Sequence, residues 1–230
     1  DLRSAYNALE LAVLTTPPEE GGHIHVALAD AEQSIQKKAL SYNEDDYYDY
    51  LSAFCKSLRG SDSNAALYYA MRLISGGCDP MLVARRLAIH SAEDVGMADP
   101  RAMQMAASAM YILEKTGAPE GLIPLSEAII YVCEAPKSGS VKSAMFAAKA
   151  DAENVRDDDG VPAYLRDHSY DSREGKKQAA QYKYPHNYPN GYVEQQYLPD
   201  GLKDKIYYVP GDRGYEKTVH EIRRQKGKKD

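Results

Sequence analysis

The chain has 230 residues, 43% of them hydrophobic, and a formal net charge of -6. Such a chain can bury one sizeable core, or one core with an appendage, whereas two full domains would each be small. The acidic balance argues against a protein whose whole surface follows a phosphate backbone, but it leaves room for a local basic patch. No run of about eighteen apolar residues and no signal peptide is found, so we expect no membrane partner.

Eight helices are predicted before residue 157, because Ala, Leu, Ile and Met recur there at helical spacing. They cover, approximately, residues 2–14, 29–38, 43–60, 62–75, 80–95, 101–115, 119–134 and 141–155. The connections are short, and the last four helices are dense in Ala and Met, which permits close helix approach. We therefore expect an all-α bundle or collar, or an oligomer interface.

The most informative helix boundaries lie between residues 79 and 100. Asp79 can cap a helix that opens at Pro80, and Gly96 can end that helix. Asp99 can cap the next helix, with Pro100 at its first position. The middle of the chain is thus predicted to consist of helical hairpins.

The C-terminal third, residues 157–230, has a different composition, with most of the Pro and many of the Tyr residues. Prolines follow Tyr184 and Tyr188 and favour extended backbone there. We expect a long irregular extension that gains area by lying across the helices, with one last helix over residues 215–225. The chain ends in a basic tail that contains Arg223, Arg224, Lys226, Lys228 and Lys229.

Candidate catalytic and metal-binding groups have simpler structural interpretations. The acidic run at 157–159 lacks the spaced ligands of a calcium loop, and His23 with His25 has no third ligand nearby. His90 and Glu93 are helical neighbours, but no nucleophile motif accompanies them. Cys55, Cys78 and Cys133 form no CxxC pair and have no neighbouring histidine, so we predict structural thiols in a reducing, cytoplasmic setting.

Nucleotide hydrolysis by this chain alone is not expected, because it contains no GxxxxGK[ST] phosphate loop. A nucleic-acid interface is the alternative function. In it, tyrosines of residues 182–192 would stack on bases while Lys183 and the basic tail follow phosphates. The competing interpretation is that most of these tyrosines pack on the bundle and that the tail is solvated.

Several long motifs resemble one branch of the AAA+ ATPases. Residues 1–10, DLRSAYNALE, are similar to the sensor 2 segment of clamp-loader-type members. Residues 52–62, SAFCKSLRGSD, and the 79–100 stretch resemble the branch formed by replication-associated recombination protein A, also called MgsA, and the Werner helicase-interacting protein. Further similar motifs are APKS at 135–138, PAYLRD at 162–167, and the 184–199 segment from YPH to QQYLP.

This resemblance implies the end of an ATPase lid over residues 1–40, a helical oligomerisation domain over 41–156, and the extension over 157–230. Arg3 stands where the sensor 2 arginine would reach nucleotide. Family members resemble clamp loaders and act at stalled forks as DNA-dependent ATPases, with ATP and magnesium as cofactors and single-strand-binding protein as a partner. The expected form is a tetramer, in a nucleoid-associated, cytoplasmic protein.

The oligomerisation hypothesis depends on the Ala- and Met-rich helices, which offer more apolar surface than a single-layer bundle needs. The predicted interface residues are Met103, Ala107, Met110, Ile129, Val132 and Met145.

Overall fold

The computed structural model describes residues 2–19, 21–34, 44–154, 160–167, 177 and 180–227. Within these ranges the fold is all-α, as predicted, with nine α-helices and no strand. The helices are α1 (Leu2–Thr15), α2 (Leu28–Ser34), α3 (Glu44–Gly60), α4 (Ser63–Ser75), α5 (Pro80–His90), α6 (Arg101–Thr116), α7 (Leu122–Glu134), α8 (Ser140–Glu153) and α9 (Tyr215–Gln225). None of them is long and apolar enough to cross a bilayer.

The hydrophobic core lies between α3, α4, α5, α6 and α7. Leu51, Phe54 and Leu58 follow one another at helical spacing on α3 and are buried. Alanines at positions 102, 106 and 109 form the inner face of α6, where small side chains allow close approach to α5 and α7. The helical spacing of apolar residues in α3 thus identifies the face of that helix that is buried.

Short-range polar contacts set the helix ends. Asp62 accepts a hydrogen bond from the Ala65 amide at 2.8 Å, and Asp79 accepts one from the Met81 amide at 2.9 Å. Asp99 Oδ1 accepts from the Arg101 amide at 3.2 Å, so it starts α6 as predicted. The Ala-Pro-Lys-Ser motif ends α7, because Lys137 Nζ donates to the carbonyl of Val132 at 2.6 Å and to those of residues 133 and 135.

Two helix boundaries in the structure differ from the predicted ones. The helix that begins at Pro80 ends as an α-helix at His90, not near Val95, because residues Ser91–Val95 form a π-helical turn and Gly96–Ala98 a 3-10 turn. Gly96 ends the π turn at a φ of 50°, a conformation that favours glycine. The seventh helix begins at Leu122, because residues 117–121 form a turn. The last four residues predicted for the second helix lie outside the described ranges.

The C-terminal part is attached to α8 through one buried carboxylate. Glu216 of α9 is completely buried and accepts hydrogen bonds from the hydroxyl of Ser140, at the N-terminus of α8, and from that of Tyr208 at 3.1 Å. An anion is favourable at a helix N-terminus, where amides lack intrahelical partners. Gly214 is required nearby, because a Cβ there would lie 2.1 Å from the Ala98 carbonyl oxygen.

The rest of the extension is ordered mainly by hydrogen bonds. Gln195 bonds the backbone of Lys183 twice, accepting from its amide at 3.1 Å and donating to its carbonyl at 2.9 Å. The Tyr164 hydroxyl donates to the Gln196 carbonyl. The Gln-Gln-Tyr motif therefore joins two extended segments by hydrogen bonds.

Candidate functional site

Five charged or ionisable side chains meet where α3, α5, the π turn and α8 come together. We call this set the polar junction; it consists of Arg59, His90, Glu93, Asp94 and Lys142. Arg59 Nε lies 2.8 Å from Asp94 Oδ1, and Arg59 Nη2 lies 2.9 Å from Glu93 Oε1. Lys142 of α8 reaches the same Glu93 oxygen at 2.6 Å. The junction thus ties α3 and α8 to the turn that follows α5.

His90 pairs with Asp94, not with Glu93. Its Nδ1 lies 2.7 Å from Asp94 Oδ2, and both side chains are largely buried. Glu93, the helical neighbour of His90, lies in the π turn that follows His90 and instead bonds Arg59 and Lys142. The imidazole is therefore oriented by a carboxylate, but by a different one.

Cys55 of α3 lies beside the His90 imidazole. This corrects the prediction that each cysteine lacks a histidine neighbour. The two residues are 35 positions apart in sequence and meet only because α3 packs on α5. Cys55, His90 and Asp94 thus lie close together at the contact between α3 and α5.

The contacts within the junction shift the pKa values of His90 and Glu93 in opposite directions. The hydrogen bond with Cys55 raises the pKa of His90; burial opposes that rise, and Asp94 adds to it. The hydrogen bond from Lys142 lowers the pKa of Glu93. At neutral pH Glu93 is therefore ionised, between the cations Arg59 and Lys142.

The same residues have the donor types of a metal site. One ligand atom each from His90, Glu93 and Asp94 lie within 4.8 Å of one another. Both carboxylates are already bonded to cationic side chains, however, and a divalent ion would have to displace them. The geometry fits an ion-pair junction better than a metal centre.

An apolar groove lies beside the junction, between α5 and α8. It has a volume of about 360 Å³ and is lined by Ile89, Ala92, Glu93, Val141, Lys142, Met145 and Phe146. Ile89 is 59% exposed, and Met145 and Phe146 are each 54% exposed. No residue of α8 is buried. Helix α8 therefore presents apolar side chains that the described residues do not cover.

The predicted interface residues divide into two groups. Met145 lines the groove. Met103, which is 54% exposed, lies on the exposed face of α6. Together with Ala107 and Tyr111, which follow at four-residue spacing on the same face, it forms a set that we call the α6 row. Met110 is half-buried beside the row. Ile129 and Val132, in contrast, are completely buried in the core, so their side chains are not available at the surface of one chain.

The sequence did not point to Ile89 or Phe146 as surface residues. The sequence of α8 did contain a signal for an exposed apolar surface. This helix has more apolar residues than its contacts with the π and 3-10 turns can bury.

The nucleic-acid candidates are dispersed. Lys183 is exposed within the tyrosine-rich segment, whereas Arg223 is half-buried and its guanidinium lies 5.2 Å from the centre of the Tyr208 ring. Arg224 and Lys226 are exposed at the end of α9, and Lys228 and Lys229 lie outside the described residues. Arg3 belongs to α1, and its side chain also lies outside them.

Two family models match the chain. Residues 60–226 match the model described as MgsA AAA+ ATPase C terminal, and residues 1–59 match the AAA C-terminal domain. The two matches meet at the end of α3, next to Arg59 of the polar junction.

Curated relatives carry related names. The replication-associated recombination protein A of Bacillus subtilis is 47% identical over 225 residues, which are 96% of this chain and 53% of that protein. The protein of the same name from Escherichia coli K12 is 38% identical over 96% of this chain and 50% of its own length. The ATPase WRNIP1 of Dictyostelium discoideum is 27% identical over 90% of this chain and 26% of its length. The chain spans about half the length of the bacterial relatives.

Proposed function

Since this chain belongs to the family of MgsA AAA+ ATPase C-terminal regions, we propose that it assembles several ATPase modules into one homo-oligomer, a tetramer. The whole protein would be a DNA-dependent ATPase that uses ATP and magnesium in replication-fork maintenance and recombination. Joining several modules converts weak contacts with DNA, or with single-strand-binding protein, into multivalent ones. The site of action would be the nucleoid, in the cytoplasm.

The observation that carries the proposal is the exposed apolar lining of the α5–α8 groove. Phe and Met are enriched in protein interfaces, and a contiguous apolar patch rimmed by charges is typical of a contact surface. Here Met145 and Phe146 are rimmed by the Glu93–Lys142 ion pair. A second copy could cover this surface without disturbing the core.

A tetramer also needs a second contact. A tetramer of dihedral symmetry is built from different two-fold interfaces, each using its own patch twice. The α6 row of Met103, Ala107 and Tyr111 offers a second apolar patch on another helix. The two surfaces together support a dimer of dimers.

Catalysis would belong to other parts of the whole protein. In this proposal Arg3 acts as the sensor 2 arginine towards nucleotide held by the ATPase core. The helices described here would contribute geometry, by fixing how many ATPase modules are joined.

Analytical ultracentrifugation of the 230-residue chain tests the proposal. We expect the wild type to sediment as a tetramer, Phe146→Glu to yield smaller species because it places a charge in the groove, and Met103→Glu to stop at dimers. Ile123→Glu is the matched control, since Ile123 is 73% exposed on α7 outside both surfaces, and it should still give tetramers. A wild type that remains monomeric at high concentration would contradict the proposal.

A second candidate function, binding of single-stranded nucleic acid, is favoured by a separate observation. Tyr182, Tyr184, Tyr188 and Tyr197 keep 37–53% of their surface exposed, and Lys183 lies among them. Stacking of one base on an aromatic ring contributes about 1–3 kcal/mol. The segment could therefore bind a strand weakly in each subunit.

Fluorescence anisotropy with a labelled oligothymidine separates this candidate from pure assembly. If it is correct, Tyr184→Ala weakens binding by about fivefold or more. Tyr68→Ala, at a 60% exposed tyrosine of α4, should leave binding unchanged. Equal affinities for both variants and the wild type, or no binding at all, would reject it.

A further inference from the structure

Helix α8 has little apolar burial to hold it in place. None of its 14 residues, all of which the structure describes, is buried. It packs on the π turn and the 3-10 turn that follow α5. An isolated helix of this length is only marginally stable in water. The position of α8 therefore depends on the polar groups that bond it.

The N-terminal end of α8 is bonded from two sides. Lys142 Nζ lies 2.6 Å from Glu93 Oε1 of the π turn. The Ser140 hydroxyl donates to Glu216 of α9. Because Glu216 is completely buried, this second bond is shielded from water and contributes more than an exposed one. One bond thus comes from the helical core and the other from the extension.

The C-terminal end of α8 is bonded by the extension as well. Asp151 lies in the last turn of α8, and its Oδ1 accepts a hydrogen bond from Lys205 Nζ at 3.1 Å. Its Oδ2 accepts one from the Tyr207 hydroxyl, also at 3.1 Å. Residues 205–216 of the extension therefore bond both ends of the same helix.

We propose that this part of the extension positions α8 for assembly, through a set of residues that we call the α8 clamp. The set consists of Asp151, Lys205, Tyr207 and Glu216. The inference rests on the proposed function, because it concerns the α5–α8 groove as the contact between copies. Met145 and Phe146 line that groove from the part of α8 between the two bonded ends. A second copy then meets a complete groove only while the clamp is closed.

The clamp makes assembly depend on residues that lie outside the contact surface, since none of its four members lines the groove. When the clamp opens, the fraction of chains with a complete groove falls, and the apparent dissociation constant of the assembly rises in inverse proportion. The coupling is reciprocal, so assembly must also hold the extension in place. Any ligand that detaches the extension would thus weaken the oligomer.

Asp151→Ala tests the C-terminal half of the clamp by hydrogen exchange. The substitution removes the acceptor of Lys205 and Tyr207, but it raises the intrinsic helix propensity of α8. Faster exchange of α8 amides can therefore not result from a weaker helix. We expect an acceleration of about fivefold in α8, with α4 and α7 unchanged. Glu153→Ala is the matched control, because Glu153 pairs with Lys149 of the same helix, and it should leave α8 unchanged.

A double variant with Asp151→Ala and Glu216→Ala tests the role of the clamp in assembly. Analytical ultracentrifugation should show that the concentration needed for half-assembly rises by about tenfold, while the exchange of α4 and α7 stays as in the wild type. Unchanged α8 exchange in Asp151→Ala, or a double variant that assembles like the wild type, would overturn the clamp. A wild type that stays monomeric would instead refute the proposed function, and the exchange of α8 would still test the clamp itself.

Discussion

The helical core and the C-terminal extension are held in place by different forces. Between α3 and α7 the fully buried large side chains are apolar, with Phe54, Leu125 and Ile129 as examples. In the described residues from 160 onward only Pro210 and Glu216 are buried. The core thus depends on apolar burial, and the extension on a few directional bonds around one carboxylate.

The difference teaches that the two parts of the chain should lose stability in response to different substitutions. Loss of apolar contacts lowers the free energy of unfolding of the whole core, because its helices share one cluster of side chains. Loss of a hydrogen bond at Glu216 affects the attachment of α9 first. The predictions that follow test this separation.

The largest effect is expected in the core. Phe54→Ala removes a completely buried ring and should lower the free energy of unfolding by about 3–5 kcal/mol. Urea denaturation followed by circular dichroism measures it. A loss below about 1 kcal/mol would show that the core does not depend on this ring.

An intermediate effect is expected at the anchor of the extension. Glu216→Ala leaves the partly buried hydroxyls of Ser140 and Tyr208 without their acceptor, at a cost of about 1–3 kcal/mol. Hydrogen exchange should accelerate in α9, while α4 and α7 keep their protection. Equal acceleration in all three helices would contradict the separation of the two parts.

Glu216 and His90 should contribute to stability with opposite dependence on pH. Burial would raise the pKa of Glu216, but hydrogen bonds, those from Ser140 and Tyr208 among them, outweigh it and lower the pKa below its usual value of 4.5. Attachment of α9 is therefore complete above pH 4.5 and is lost as the pH falls through the lowered value. Hydrogen exchange of α9 between pH 3 and 6 measures this, with Glu216→Gln as the control.

The His90 contribution has the reverse dependence. Because the folded pKa of His90 is raised above 6.5, its stabilisation is complete below pH 6.5 and is lost as the pH rises through the raised value. Glu93 and Asp99, whose pKa values are lowered, act only on the acid side. The difference in unfolding free energy between wild type and His90→Gln should therefore shrink from pH 6 to 9.

The smallest effect is expected at the surface of α8. Lys149 and Glu153 form an exposed pair at 3.5 Å, so Lys149→Ala should change the free energy of unfolding by less than about 0.5 kcal/mol. A larger loss in urea denaturation would indicate that Lys149 is engaged in an assembled contact.

Much of the helical fold was predictable because its signals are local. Asp62, Asp79 and Gly117 each act on neighbouring residues, and the sequence placed the corresponding helix ends correctly. The π turn after His90 was not predictable in this way. It depends on the long-range contacts of Asp94 and Glu93 with Arg59, 34 or 35 positions away.

The candidate sites show the same limit. Periodicity identified Met103 and Met145 as apolar helix residues but could not separate exposed from buried faces, as Ile129 and Val132 illustrate. The contact of Cys55 with His90 could not be predicted from the sequence around either residue, because only the packing of α3 on α5 creates it. The oligomeric state, the domain boundaries and the site roles remain predictions.

The tie between α8 and the extension closes a long loop. Lys205 Nζ lies 3.1 Å from Asp151, 54 positions earlier in the chain. The entropy of closing a flexible loop grows only logarithmically, so doubling such a length adds about 0.6 kcal/mol. Insertions in this stretch, outside its hydrogen-bonded segments, should thus change the free energy of unfolding little while both ends stay attached.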